Sequence, residues 1–119
     1  MNASVCRLEQ LVDGHSRGFD PLREGHDTMF IVRRGDRLFA YRDACPHWEG
    51  TPLPWRKDAY LSGDGRRIVC SAHGAQFDIE TGICTLGPCL GQSLTPVALV
   101  VDDAGNVHVE PNTLPERTS

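Results

Sequence analysis

Cys45-Pro46-His47 and Cys70-Ser71-Ala72-His73-Gly74 are the two stretches on which the reading of this chain turns. Each pairs a thiol with an imidazole, with one intervening residue in the first and two in the second. Two thiols and two imidazoles suit a sulfide-bridged pair of irons, where each tetrahedral iron needs two protein ligands beyond the bridging sulfides. Cys45 and Cys70 supply one iron, and His47 and His73 the other. Each segment then contributes a ligand to each metal, so two loops must clamp the centre from opposite sides. The unequal spacing disfavours zinc, whose mixed sites usually separate paired ligands by at least two residues.

Formal charge explains why the ligand set matters. Two ferric ions, two sulfides and two thiolates sum to a neutral oxidised centre, whereas four thiolates would make it dianionic. A neutral centre accepts an electron more readily. Histidine ligation therefore raises the potential to roughly −150 to +300 mV, against about −400 mV for all-cysteine plant-type centres. The expectation, if the chain carries such a centre, is that it moves single electrons and does not itself transform a substrate.

The remaining composition is compatible with this. At 119 residues, 24% charged and 39% hydrophobic, the chain reads as one globular domain. It has no apolar run of about 18 residues, and its start does not resemble a signal peptide, so the expectation is a cytoplasmic protein without a membrane span. A net charge of −4 argues against a nucleic-acid partner; 11 of the 12 basic residues are arginines, but they are scattered. Five cysteines cannot form a complete disulfide framework and point to metal or redox chemistry.

The pattern outside the motifs is β throughout. Thr28–Arg33 and Arg37–Tyr41 flank Arg34-Gly35-Asp36 as a hairpin with a solvated turn. Thr95–Val101 and Val107–Glu110 flank Asp102–Asn106 as a second hairpin, and Cys6–Val12, Arg67–Cys70 and Gln76–Ile79 read as further strands. Strands joined by turns without alternating helices predict an all-β, antiparallel sandwich or small barrel. Trp48–Val69, rich in Pro and Gly, reads as a long loop with one helical turn near Trp55–Ala59, and 111–119 as a frayed, flexible tail.

With Phe77-Asp78, Thr81-Gly82 and Gly87-Pro88 following the second motif, the chain resembles the Rieske [2Fe–2S] ferredoxins from about residue 5 to 110. The resemblance implies one [2Fe–2S] cluster held by Cys45, His47, Cys70 and His73. It implies a single domain, 1–119, of three small antiparallel sheets. The base would comprise about 5–43 and 91–110, with an inserted cluster-binding subdomain at about 44–90 covered by a proline loop at Gly87-Pro88. The implied role is a soluble carrier between a flavin reductase and an oxygenase, running as a monomer or weak dimer. The alternative is a small subunit of a larger oxidoreductase such as nitrite reductase. The stretch between the motifs, 22 residues, is longer than is common in the family; loop closure tolerates this, and it is a candidate for partner specificity.

Respiratory Rieske proteins resemble this chain at the ligands but carry a disulfide between their ligand loops, where this sequence has Gly50 and Ala72. They also carry a serine and a tyrosine, whose hydroxyls donate to sulfur, where this sequence has Ala75 and Phe77. Fewer donors stabilise the reduced cluster less, so a low-potential centre is expected. Cys84 and Cys89 flank Leu86-Gly87-Pro88 and read as small buried thiols, with a supplementary disulfide as the alternative. Cys6 reads as core, and His15 and His26 as exposed. His108 reads as the outer face of a strand. Trp48 either shields the centre from water or meets a partner.

Overall fold

The computed structural model describes residues 3–21, 23, 25, 27–44, 53, 58–70, 74–87 and 90–110. Nine strands run through them: β1 (Ala3–Arg7), β2 (Ser16–Phe19), β3 (Met29–Arg34), β4 (Arg37–Arg42), β5 (Arg67–Cys70), β6 (Ala75–Asp78), β7 (Cys84–Leu86), β8 (Leu99–Val101) and β9 (Asn106–Val109). They form three antiparallel three-stranded sheets, ordered β1-β9-β8, β2-β3-β4 and β5-β6-β7. The expected all-β fold of three small antiparallel sheets is what is found.

The middle sheet owes its place to Met29-Phe30-Ile31-Val32, four apolar residues in succession, all fully buried. Side chains alternate across a strand, so such a run can be accommodated only if both faces are covered. Met29 and Ile31 join Cys6, Leu11, Phe19, Val97, Val107 and Val109 in one core. Phe30 and Val32 turn the other way, into a second core with Leu53, Tyr60, Ile68, Cys70, Phe77 and Leu94. β4 repeats the division, with Ala40 in the first core and Tyr41 in the second. Each fully buried aliphatic or aromatic side chain contributes roughly 1.5–3 kcal/mol. The middle sheet is thereby fixed between the outer two.

The β3–β4 hairpin closes at Gly35-Asp36, with Arg34 opposite Arg37 and Gly35 at φ +62°. The turn is exposed as expected, but Arg33 is only half-exposed. Its Nη1 donates to the carbonyls of Leu8 and Leu11 at 3.1 and 3.0 Å.

Two local expectations need correction, and two strands were not expected. The run Cys6–Val12 is not one strand: β1 ends at Arg7, a 3-10 turn spans Leu8–Gln10, and Val12 is exposed. The Leu8 and Leu11 carbonyls are taken up there by Arg33. Thr95–Val101 divides between two sheets. The Arg42 amide donates to the Thr95 carbonyl and the Val97 amide to Ala40, continuing the β4 edge, before Leu99–Val101 pairs with β9. Pro96 lies opposite Tyr41 between those two bonds, where the ladder needs no N–H, and the chain changes sheets after Val97. β2 is a strand the sequence conceals, because Ser16-Arg17-Gly18-Phe19 has little β preference of its own. β7, Cys84–Leu86, was likewise not apparent. Residues 111–119 and most of the suggested helical turn near Trp55–Ala59 lie outside the described residues.

Candidate metal centre

Of the four expected ligands, Cys70 lies among the described residues, while Cys45, His47 and His73 lie outside them. The described residues nonetheless fix the roots of all three segments concerned.

Cys70 ends β5 directly opposite Ala75, the first residue of β6. The Gly74 amide donates to the Cys70 carbonyl at 2.8 Å, and Gly74 takes φ +69°, which glycine adopts without a Cβ penalty. Cys70 and Gly74, on either side of 71–73, are therefore bonded to each other at the end of the sheet. Cys70 is fully buried, as are Ala75 and Phe77.

The first motif leaves the middle sheet after β4. The Asp43 amide donates to the Thr28 carbonyl at 2.9 Å. Oδ1 of Asp43 accepts the Leu53 amide at 2.8 Å, and Oδ2 accepts the Tyr60 hydroxyl at 2.8 Å. One carboxylate thus joins the two ends of segment 45–52. Burial, followed by the charge of and hydrogen bond to Asp43, pushes the Tyr60 phenol far above its ordinary value. It therefore stays protonated and acts as the donor. Sequence reasoning passed over both residues: Asp43 had no motif, and Tyr60 fell in what read as a loop. Their only sequence signal is an aspartate two places before Cys45.

Gly87 forms the third side. It sits at φ +107°, and a Cβ there would lie 2.8 Å from the Ala75 Cα. The chain beyond it returns quickly: the Leu90 amide donates to the Gly87 carbonyl, and the Gly91 amide to the Cys84 carbonyl, both at 3.3 Å. Gly87 is therefore seated against β6, beside the Cys70 hairpin. Pro88 and Cys89 lie outside the described residues, as do Trp48, Gly50 and Ala72. Cys84 itself is buried.

The residues present fit a two-iron cluster. The donor set expected from the sequence is two thiols and two imidazoles. Its one described member, Cys70, is a buried thiol at a hairpin end, with a backbone segment held close because Gly87 has no side chain. Elsewhere, Cys6 is a core residue whose thiol is pushed upward by burial, partly offset by Arg17. His15 is exposed, and His26 lies outside the described residues. His108 faces away from the core but is half-buried, with Nε2 2.9 Å from Asp102 Oδ2. Among the described residues no group of three His, Cys, Asp or Glu side chains is set to hold a metal. No helix among them is long and apolar enough to cross a membrane.

Comparison with known proteins agrees with this geometry. Residues 2–110 match the Rieske [2Fe-2S] domain model. The ferredoxin CarAc of Metapseudomonas resinovorans is 29% identical over 85 residues, covering 71% of this chain and 72% of that protein. The solved ferredoxin of carbazole 1,9a-dioxygenase from Nocardioides aromaticivorans IC177 superposes with a TM-score of 0.69 at 29% identity, covering 92% of this chain and 96% of that one. Methylxanthine N1-demethylase NdmA of Pseudomonas putida is 30% identical over 103 residues, 82% of this chain but 26% of the larger protein. This chain thus spans about a quarter of that enzyme. From its two thiol–imidazole motifs, three-sheet fold and domain match, the chain belongs to the Rieske [2Fe-2S] domain family, whose cofactor is one [2Fe–2S] cluster.

Proposed function

We propose that this chain is a one-electron carrier of the oxygenase-ferredoxin type. Its cluster is held by Cys45 and Cys70 on one iron and by His47 and His73 on the other. When bound, the cluster supplies a one-electron couple, and the protein's task is to hold and screen it. The observation that carries the reading is the buried Cys70 at the β5–β6 hairpin end, with Gly87 packed against Ala75 beside it. Residues 44–90 form the cluster-binding unit on a base of 5–43 and 91–110; the sheet β5-β6-β7 falls within the former.

Electrons arrive from a flavin reductase and leave to an oxygenase. The support is the full-length match to a ferredoxin that serves a dioxygenase. The carrier works in the cytoplasm as a monomer or weak dimer, and its net charge of −4 suits protein partners better than nucleic acid. The potential lies toward the bottom of the Rieske range, roughly −150 mV, because neither Ala75 nor Phe77 can donate a hydroxyl to sulfur.

Absorption and EPR spectra before and after dithionite, with iron and sulfide analysis, test the reading. Two irons and two sulfides per chain, with a signal appearing on reduction, are expected. A colourless protein with one zinc would end it. Replacing His47→Cys adds a thiolate charge and should lower the potential; an unchanged potential contradicts the ligand assignment.

A further inference from the structure

We propose that Tyr60 is a positioning residue that ties together the roots of the two ligand segments, acting on the first through Asp43. This rests on the ligand reading above. The Tyr60 hydroxyl donates to Asp43 Oδ2 at 2.8 Å, two residues before Cys45. The other oxygen of that carboxylate holds the Leu53 amide, at the far end of the same segment. The Tyr60 carbonyl meanwhile accepts the Val69 amide at 2.9 Å, one residue before Cys70. A single residue is therefore bonded to the root of each motif, one link through its side chain and the other through its backbone.

The linkage is stiff. The Tyr60 ring is fully buried and lies stacked on Phe30, with centroids 4.2 Å apart and planes at 11°. Gly18 closes on the hydroxyl so tightly that a Cβ there would come within 2.6 Å of it. An aromatic side chain has two rotatable bonds, both fixed by this packing. Its hydrogen bond goes to a carboxylate, the stronger kind, and the acceptor is itself bonded on both oxygens. Displacing Tyr60 would free Asp43, and with it the tie between the end of β4, Leu53 and the Val69-Cys70 end of β5.

Tyr41 provides the internal control. It is also buried, and its hydroxyl donates to the Ile79 carbonyl at 2.7 Å, nine residues beyond Cys70 and bonded to neither motif root. The experiment compares cluster-loaded wild type, Tyr60→Phe, Tyr41→Phe and Asp43→Asn. The readouts are the EPR g values of the reduced cluster and the rate of bleaching by an iron chelator. Tyr60→Phe should bleach about tenfold faster, as expected for losing one charge-assisted hydrogen bond, and shift the g values. Tyr41→Phe should do neither. Asp43→Asn offers one carbonyl oxygen to two donors and should move both readouts in the same direction; it also decides the matter if Tyr60→Phe does not fold. Unchanged g values in both motif-side variants, or equal bleaching in Tyr60→Phe and Tyr41→Phe, would overturn the positioning role alone. A wild type without the two-iron signal would overturn the ligand reading and this inference together.

Discussion

Replacing Gly87→Ala isolates the contact that seats the third segment against the Cys70 hairpin. The added Cβ would fall 2.8 Å from the Ala75 Cα, 3.3 Å from its amide nitrogen and 3.2 Å from its Cβ. Ala75 cannot withdraw easily, because it is fully buried and paired with Cys70 in the ladder. Three effects compete. The positive φ of +107° costs an L-residue about 1–2 kcal/mol. Forcing a methyl against packed backbone costs about 1–3 kcal/mol more. The loss of glycine's freedom in the unfolded chain offsets about 0.4–1 kcal/mol. The net is a destabilisation of about 2–4 kcal/mol, or about 10–20 °C in the apparent midpoint for a domain of this size.

Gly91→Ala is the matched reference. Gly91 also has a positive φ, +87°, but an added Cβ would meet nothing within 4 Å. Only the conformational cost remains, about 1 kcal/mol or less. Thermal scans of both cluster-loaded variants at one scan rate, followed by circular dichroism and visible absorbance, give the comparison. If the two variants lose stability equally, the Ala75 contact contributes nothing and the packing argument fails.

Three further outcomes are expected. Ala75→Ser places a hydroxyl opposite Cys70 and should raise the reduction potential, measured by dye-coupled titration; a potential that does not move would remove the stated reason for a low-potential centre. Phe30→Ala should cost about 3–5 kcal/mol in chemical denaturation, because the ring is fully buried against Tyr60 and Tyr41; a cost below about 1 kcal/mol would show that the second core is not closed as described. The Asp102 carboxyl is held well below the usual range by its hydrogen bond to His108, then by the Asn106 amide. A depressed native value means that its contribution to stability is present above the unfolded value of about 3.9 and is lost as pH falls through the native one. His108→Ala should therefore move the Asp102 midpoint upward in an NMR titration, and an unmoved midpoint would assign the depression to the backbone amides instead.

The proposed ligands were legible because iron–sulfur chemistry demands particular donor atoms. Cys45, His47, Cys70 and His73 announce themselves by type and spacing, whatever the surrounding chain does. The β3–β4 hairpin was legible for a local reason as well, since Gly35 between two β-prone runs specifies a tight turn. Asp43 and Tyr60 were not legible. Their bond crosses 17 residues of sequence, and neither residue type is unusual where it stands.

The sequence by itself determined the all-β character and the main turns and supplied the proposed donor set, because these depend on side-chain chemistry and on residues close in the chain. Tertiary structure alone decided how Met29-Phe30-Ile31-Val32 is shared between two cores. An unbroken apolar run shows that both faces are buried but not what covers each. It also decided that Ser16–Phe19 is a strand, which pairing with β3 imposes on a segment of weak preference. The division of Thr95–Val101 between two sheets follows from which edge each half meets. These features arise from contacts between distant residues, and no local pattern encodes such contacts.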